Sequence, residues 1–366
     1  MINSDPRIER LEVASYRIPT DAPESDGTLC WDHTDLIVVH AHAGGLAGVG
    51  WTYASPAVAQ LVTSSLTSEV TGKSALQPEA AWLGMIHALR NVGLPGAGSM
   101  GLSAVDIALW DLKAKVLNVS LVDLFGGVRD SVPVYGSGGF TSYDEARLCE
   151  QLSRWAEQGM GAVKMKVGRV PAADVARVRA ARAATGPEVE LFVDANGAYS
   201  RKQALQLAST FGEQCGVSWF EEPRPSSDLD GLRWLRDRAP ASMEIAAGEY
   251  GDTLGYFRTM LLAGALDCLQ ADATRCGGFT GFLKVAALCQ AFELPLSAHC
   301  APELHAHVGC AVACLRHVEY FHDHVRIAGL LFDGVLTPKG GALRPDRSRL
   351  GHGLALKVED AARFRT

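Results

Sequence analysis

An alternation of short apolar stretches with longer amphipathic segments runs through the sequence from about residue 130. Apolar stretches of about four to eight residues indicate buried strands, and apolar residues three or four positions apart indicate helices. The predicted strands are 132–138, 162–168, 189–196, 217–223, 243–249, 265–272, 293–299 and 317–321. Eight strands joined by helices predict an α/β fold whose parallel strands close into a barrel. An open doubly wound sheet has similar local patterns, but the compactness of the units favours the barrel.

The chain on either side of this region has a different pattern. Segments 7–19 and 33–54 indicate antiparallel strands, and 103–117 is an amphipathic helix, so an α+β module precedes the barrel. The last part is rich in Gly and Pro and is predicted to return to that module. The predicted domains are 1–125, 126–325 and 326–366.

Composition restricts the partners. The 366 residues are 48% hydrophobic, and 34 basic against 41 acidic residues give a net charge of −7, without the basic blocks that bind nucleic acid or anionic membranes. The N-terminus is charged and no apolar run approaches the roughly 20 residues needed to span a bilayer, so we expect a cytoplasmic protein. Nine cysteines without a C-x-x-C pair argue against disulfides and against a zinc–thiolate site.

Three carboxylates end successive predicted strands. Asp194, Glu221 and Glu249 are separated by 27 and 28 residues. Because the carboxyl ends of barrel strands converge on one mouth, the three should face each other. One such acid alone would more simply cap a helix, but three acids that recur at the ends of successive strands predict a shared cation. Hard oxygen ligands without sulfur or imidazole favour Mg²⁺.

Two lysines share one face of the strand before Asp194. Lys164 and Lys166 alternate with apolar residues, a pattern that also occurs on solvated edge strands. Here both would point into the acidic mouth. A metal and a neighbouring cation could then depress the pKa of one lysine and make it a general base.

Further polar residues end the later strands. Asp272 and His299 are 27 residues apart, and an Asp beside a His fixes its tautomer and prepares it to exchange a proton. Glu319 follows 20 residues later and could hydrogen-bond a substrate oxygen, with a surface ion pair as the alternative.

The motifs "KMK", "DAN", "FEEP", "GE", "DATRCGG" and "SAH", in this order and spacing, resemble the mandelate racemase subgroup of the enolase superfamily. The resemblance covers the whole chain and implies a modified TIM barrel of the (β/α)₇β type with an N-terminal α+β capping domain. It makes Asp194, Glu221 and Glu249 the ligands of Mg²⁺. It also makes Lys166 the base on one face of the substrate and His299, paired with Asp272, the acid/base on the other.

The resemblance extends to neighbouring residues. Lys164 would lie near the substrate carboxylate and the base, and Glu319 would hydrogen-bond the carboxylate that forms the enolate. Glu222 would lie near the metal ligands without coordinating the metal. Asn196 would contact the substrate or a lysine, or would cap a helix.

Arg275 departs from the racemase pattern, which has a lysine there, and agrees with many sugar-acid dehydratases. Since Arg stays protonated, it should orient Asp272 or other carboxylates by bidentate contact. This favours dehydration of an acid sugar, an aldonate or an aldarate, by abstraction of the proton α to its carboxylate. Racemisation or epimerisation of a 2-hydroxy acid and cycloisomerisation of a sugar lactone are the alternatives.

Two other classes of protein are less consistent with these residues. A non-catalytic sugar-acid binder is disfavoured because no member of the metal and acid/base set is missing. A barrel metallohydrolase would use imidazole ligands, for which the candidates are His299, His305, His307, His317, His322 and His324. The H-x-H sequence is predicted to be helical, which would place its two histidines on different faces.

Specificity should come from cap loops that close over the mouth. Segments 19–34 and 48–56 are rich in Gly, Pro and Asp and are predicted to be these loops. The candidate substrate contacts are Trp31, His33, Trp51 and Tyr53, each with core packing as its alternative role. The expected partners are a small carboxylate substrate and further copies of this chain in a homo-oligomer.

Overall fold

An antiparallel sheet and a group of helices form the N-terminal part of the protein. The computed structural model describes residues 5–366. The sheet contains, in order, β1 (Arg10–Ser25), β2 (Cys30–Ala43) and β3 (Leu46–Tyr53). The helices are α1 (Ala57–Leu61), α2 (Thr67–Val70), α3 (Pro78–Leu89), α4 (Ala97–Leu117) and α5 (Leu121–Phe125), with a π-helical turn (Val62–Leu66) between the first two.

Two glycines bring α4 close to the sheet. A Cβ at Gly48 would lie 2.1 Å from the Ala108 carbonyl oxygen, and one at Gly50 would lie 2.2 Å from that of Ala104. Only glycine permits this approach of helix and strand backbones. The close contact fixes β3, and with it the end of the strand that faces the barrel.

Eight parallel strands form the barrel. They are β4 (Val132–Gly138), β5 (Ala162–Lys166), β6 (Glu190–Asp194), β7 (Val217–Glu221), β8 (Glu244–Ala247), β9 (Cys268–Ala271), β10 (Leu296–Ala298) and β11 (Leu315–Phe321). Each pairs with its neighbour in the chain, and β11 pairs with β4 through Val318 and Val134. This closure excludes the open sheet. All eight predicted strands are confirmed, since strands buried on both faces appear in a sequence as apolar runs.

Seven helices connect the eight strands, which confirms the (β/α)₇β arrangement. They are α6 (Glu145–Glu157), α7 (Pro171–Thr185), α8 (Arg201–Cys215), α9 (Leu229–Arg236), α10 (Leu254–Leu262), α11 (Gly278–Ala291) and α12 (Pro302–Gly309). A further helix, α13 (His322–Leu331), follows β11 directly. The barrel interior below the mouth is filled by the buried rings of Tyr135, Phe192 and Trp219, so the polar site above them has a packed apolar base.

The C-terminal segment contacts both parts of the protein. It contains β12 (Phe332–Asp333), β13 (Ala342–Leu343), β14 (Ala355–Leu356) and α14 (Val358–Ala362). Strand β13 pairs with β4, whereas the His352 amide donates to Asp111 in α4 and the Arg17 amide in β1 donates to Phe364. The division of the chain into domains at residues 125 and 325 stays a prediction.

The two predicted cap loops are mostly strand. β1 continues to Ser25 across an irregularity between Pro19 and Glu24, and β2 begins at Cys30, which leaves a short turn at 26–29. Most of segment 48–56 belongs to β3. The prediction of loops was wrong because an irregularity in the β1–β2 pairing accommodates the Pro and Asp residues of the first segment, and because the glycines of the second segment lie in β3 against α4.

Among the helices of residues 5–366, none combines the length and the apolar character that a bilayer crossing requires. The cytoplasmic location and the homo-oligomer stay predictions.

Candidate active site

The carboxyl ends of the barrel strands carry a ring of charged side chains. Lys166, Asp194 and Glu221 are the last residues of β5, β6 and β7, and they are direct partners across the sheet. Glu249 lies just beyond the end of β8. Because neighbours in register point to the same face, these side chains meet inside the mouth of the barrel.

The three predicted metal ligands converge. Ligand oxygens of Asp194, Glu221 and Glu249 all lie within 4.8 Å of one another, and the three side chains are buried. Burial and the nearby Asp194 raise the pKa of Glu221 to about 8, and Oε2 of Glu249 is buried with Nε2 of His299 at 3.2 Å. A set of hard oxygen atoms that disfavour each other's charge fits a divalent cation such as Mg²⁺.

Both lysines are paired with carboxylates. The Nζ atom of Lys164 lies 2.7 Å from Glu221 and 2.8 Å from Glu319, and that of Lys166 lies 2.5 Å from Asp194. Burial opposes the positive charge, but these carboxylates outweigh burial and raise the pKa of both lysines. Among these side chains the carboxylates act more strongly than one lysine acts on the other, so the expected depression of a lysine pKa, which included the charge of the metal, stays a prediction.

His299 is held between carboxylates just beyond β10. Its Nδ1 donates to Asp272 at 2.9 Å, and its Nε2 lies 3.2 Å from Oε2 of Glu249. Asp272 is itself fixed by the amide and hydroxyl groups of Thr274. Burial favours the neutral ring, but the acidic groups around it raise the pKa of His299 well above its ordinary value. The pair can therefore hold a proton at Nε2, facing the cavity.

Glu319 on β11 lies at the inner side of the ring. It accepts hydrogen bonds from the Ser137 hydroxyl at 2.5 Å and the Cys300 amide at 3.0 Å, besides its contact with Lys164. Burial raises the pKa of Glu319, but Lys164, His299 and Lys166 together outweigh burial and hold it well below its ordinary value. As a carboxylate it accepts hydrogen bonds, so donation to a substrate oxygen would first require its protonation.

Arg275 does not make the expected bidentate contact. Its Nη1 donates to the backbone carbonyl of Glu249 at 3.1 Å, while its nearest approaches to the carboxylates of Glu249 and Asp272 are 3.8 and 3.7 Å. The prediction was wrong because the guanidinium donates to the backbone carbonyl of Glu249 and so lies between the two carboxylates without binding either in a bidentate way.

Asn196 has a φ of +45°, and its backbone amide donates to Oδ1 of Asp194 at 2.9 Å. Oδ1 of Asn196 is buried without a partner in the protein.

A cavity of about 450 Å³ lies above the ring. We call its barrel residues the floor and its N-terminal residues the roof. The floor is Lys166, Asn196, Glu249, Tyr250, Arg275, His299, Cys300, Glu319, Phe321 and His324. The roof is Asp26, Leu29, Trp31, His33, Thr34, Asp35, Tyr53, Ala54 and Ser55.

Three of the four candidate contacts, Trp31, His33 and Tyr53, lie in the roof. Trp51 does not line the cavity. It is buried two residues earlier on β3, with its ring 4.7 Å from that of Phe332, so its predicted substrate contact is replaced by core packing.

Several cavity residues were not identified from the sequence. They include Asp26, Asp35, Tyr250, Cys300 and His324. Asp26 lies in the segment predicted to be a cap loop, and His324 follows the eighth strand, where the sequence indicates a possible zinc ligand.

The histidines do not form an imidazole-rich metal centre. His305 donates from Nδ1 to the Cys300 carbonyl and accepts at Nε2 from the Ala273 amide, so both ring nitrogens are used. Over residues 5–366, each cluster that could hold a metal ion contains at most one histidine. This arrangement argues against the barrel metallohydrolase.

The fold and the ring of acids define a capped (β/α)₇β barrel with a candidate divalent-cation site. Residues 147–361 match the family described as "Enolase C-terminal domain-like", and residues 16–126 match "Mandelate racemase / muconate lactonizing enzyme, N-terminal domain". The chain belongs to this family of the enolase superfamily, and the resemblance stated from its motifs is confirmed.

Two curated enzymes are similar over nearly the whole chain. A 3,6-anhydro-alpha-L-galactonate cycloisomerase of Streptomyces coelicolor is 34% identical over 98% of this chain and 99% of its own. An L-talarate/galactarate dehydratase of Salmonella typhimurium is 31% identical over 98% of this chain and 90% of its own.

Solved structures agree with the fold throughout. A mandelate racemase/muconate lactonizing enzyme-like protein from Rubrobacter xylanophilus has a TM-score of 0.97 and 55% identity, covering 99% of this chain and 100% of its own. A racemase from Streptomyces coelicolor, solved with bound magnesium, has a TM-score of 0.92 and 33% identity, covering 98% of this chain and 100% of its own.

Proposed function

We propose that this protein is a Mg²⁺-dependent enzyme that removes the proton α to the carboxylate of an acid sugar and then expels the β-hydroxyl group as water. The observation that carries the proposal is the convergence of Asp194, Glu221 and Glu249 beside Lys166 and His299 at one cavity. The magnesium found in the racemase relative supports the choice of metal.

The metal ligands lie between the two proposed proton-transfer groups. Lys166 ends β5, the ligands follow on β6 to β8, and His299 follows β10. When bound, Mg²⁺ would supply positive charge that stabilises the second negative charge an acid gains as its α-proton leaves. Lys164 adds a buried positive charge beside the same carboxylates.

Lys166 and His299 have separate tasks in this reaction. Nζ of Lys166, once released from Asp194 and made neutral by loss of a proton to solvent, takes the α-proton. His299, held by Asp272, gives a proton to the β-hydroxyl as the carbon–oxygen bond breaks, and water leaves. The resulting enol tautomerises to a 2-keto-3-deoxy acid.

Cycloisomerisation is the second candidate because a cycloisomerase is similar over 98% of the chain. Both reactions begin with α-proton abstraction. They can also share cleavage of the β carbon–oxygen bond, and they differ in whether the oxygen departs as water or, because it belonged to a ring, stays attached to the ring-opened product. Dehydration is favoured by Arg275, which the motif comparison associates with sugar-acid dehydratases, and by the dehydratase relative.

The test is a panel of aldonates, aldarates and sugar lactones incubated with the protein and Mg²⁺. We expect a 2-keto-3-deoxy acid from at least one acid sugar. Conversion of a sugar lactone to a keto acid of the same mass, with no keto acid from any open-chain acid sugar, would move the protein to the cycloisomerases, and inversion at the α-carbon without keto acid would make it a racemase or epimerase.

A further inference from the structure

We infer that the cavity takes an acid sugar with one carboxylate and a neutral hydroxylated tail, and that the imidazole of His324 donates a hydrogen bond to that tail. The inference rests on the proposed function, because it places the carboxylate at the metal ligands in the floor. It concerns the opposite end of the substrate, beneath the roof.

The cavity has its basic groups at the floor. Of the described residues that line it, the lysine and arginine side chains are those of Lys166 and Arg275, both on the barrel. Lys166 is paired with Asp194, and Arg275 lies between the carboxylates of Glu249 and Asp272. Neither the Arg275 guanidinium nor the Lys166 ammonium is therefore available at the roof to bind a second substrate carboxylate.

The roof instead presents acids. Oδ1 of Asp26 accepts from the amides of the 26–29 turn at 2.6 and 2.7 Å, so this carboxylate is fixed in place. Asp35 is held by Arg17, which does not line the cavity, at 2.8 and 3.0 Å. His33, the remaining basic group of the roof, lies 2.6 Å from Asp32. The second carboxylate of an aldarate would therefore meet the Asp26 carboxylate and the Asp35–Arg17 ion pair, without a free cation.

His324 offers a neutral donor near the same end. Its Nδ1 accepts from the Ala301 amide at 3.2 Å, and burial lowers its pKa to about 3, so the neutral ring carries its proton on Nε2. The ring is stacked on Tyr53 with centroids 3.4 Å apart and packs edge-on against Phe321 at 5.2 Å. A fixed, uncharged N–H group suits a hydroxyl oxygen.

Trp31 completes the neutral surroundings. Its indole nitrogen donates to the buried Glu24 at 2.8 Å, which uses the only polar hydrogen of the side chain. The ring packs edge-on against Phe140, with centroids 5.6 Å apart. Trp31 therefore offers the cavity an apolar surface, which suits the C–H groups of a sugar chain.

The first test compares pairs of acids that differ only at C6. D-Galactonate and galactarate, or D-gluconate and D-glucarate, are titrated calorimetrically into the Lys166→Ala variant with Mg²⁺, where turnover does not interfere. We expect each aldonate to bind at least ~10-fold more tightly than its aldarate, because an unpaired charge beside anions is costly. Equal or tighter binding of the aldarates, or no binding of either aldonate, would overturn the inference.

This readout is separate from the proposed reaction, because a binding preference can be present even where wild-type protein forms no keto acid. His299→Asn is the second inactive variant if Lys166→Ala does not fold. Asp35→Asn, which removes a roof anion and releases Arg17, should reduce the preference. The exposed Asp333→Asn is the matched control and should leave it unchanged.

A second pair of variants tests the donor. In His324→Asn the side-chain oxygen can replace Nδ1 as an acceptor but no donor reaches the Nε2 position, whereas the amide of His324→Gln can replace Nε2. We expect His324→Asn to weaken aldonate binding about 3- to 10-fold, with most of it recovered in His324→Gln. Binding of glycerate, which lacks the tail, should stay unchanged. An equal loss for glycerate and aldonates, or no loss for either, would remove His324 as the tail donor.

Discussion

Nζ of Lys166 lies 2.5 Å from Oδ2 of Asp194, so the proposed base and a proposed metal ligand are joined in one ion pair. A cation that binds Asp194 competes with the lysine for the same oxygen. Metal binding and release of the base are therefore linked, and this linkage gives the metal a role in preparing the base as well as in holding the substrate.

Removal of the metal should abolish activity. We expect treatment with a chelator to stop turnover and Mg²⁺ to restore it, because the positive charge that stabilises the second negative charge of the substrate would be lost. Glu249→Gln should weaken Mg²⁺ binding at least ~10-fold in calorimetric titration, since it removes one charged ligand. Glu359→Gln, an exposed change in α14, is the control and should bind Mg²⁺ as the wild type does. Full turnover by stripped protein would contradict the metal assignment.

Loss of either proton-transfer group should reduce turnover strongly. We expect Lys166→Ala and His299→Asn each to lower kcat by at least ~10²-fold, which is the usual contribution of a positioned acid or base. The exposed Lys202→Ala is the control for the loss of a lysine. Wild-type rates in both active-site variants would exclude these residues from the mechanism.

The close packing of α4 on β3 gives a prediction about stability. Gly50→Ala places a Cβ about 2.2 Å from the Ala104 carbonyl oxygen, so helix or strand must move. We expect the apparent Tm to fall by roughly 2–10 °C in thermal unfolding, in line with the cost of overpacking. Gly161→Ala meets no atom within 4 Å and serves as the matched control. An unchanged Tm for Gly50→Ala would show that the helix tolerates a larger separation from the sheet.

The barrel and the acidic ring could be predicted because both follow from local sequence. Strands buried on both faces are apolar throughout, and an acid at the end of each of three successive strands repeats with the length of one βα unit. The positions of Asp194, Glu221 and Glu249 in one cluster follow from that repeat alone.

The ion pairs of the lysines, the burial of Trp51 and the stacking of His324 depend on contacts between segments that are distant in the sequence. The sequence did not indicate that Lys164 pairs with Glu221 and Glu319, two contacts that raise the pKa of this lysine against the effect of burial. The burial of Trp51 depends on Phe332 in the C-terminal segment, 281 residues later in the chain. The stacking of His324 on Tyr53 joins the barrel to the roof in the same way.

The most direct test of the proposed chemistry is exchange of the substrate α-proton in D₂O, followed by ¹H NMR with the aldonates and aldarates of the panel. With Mg²⁺ present, we expect the His299→Asn variant to exchange the α-proton of an accepted acid sugar while forming little keto acid, because Lys166 remains as the base. Without Mg²⁺, or in Lys166→Ala, exchange should be lost. Keto-acid formation by the wild type together with undiminished α-proton exchange in Lys166→Ala, or exchange that does not require Mg²⁺, would contradict the account.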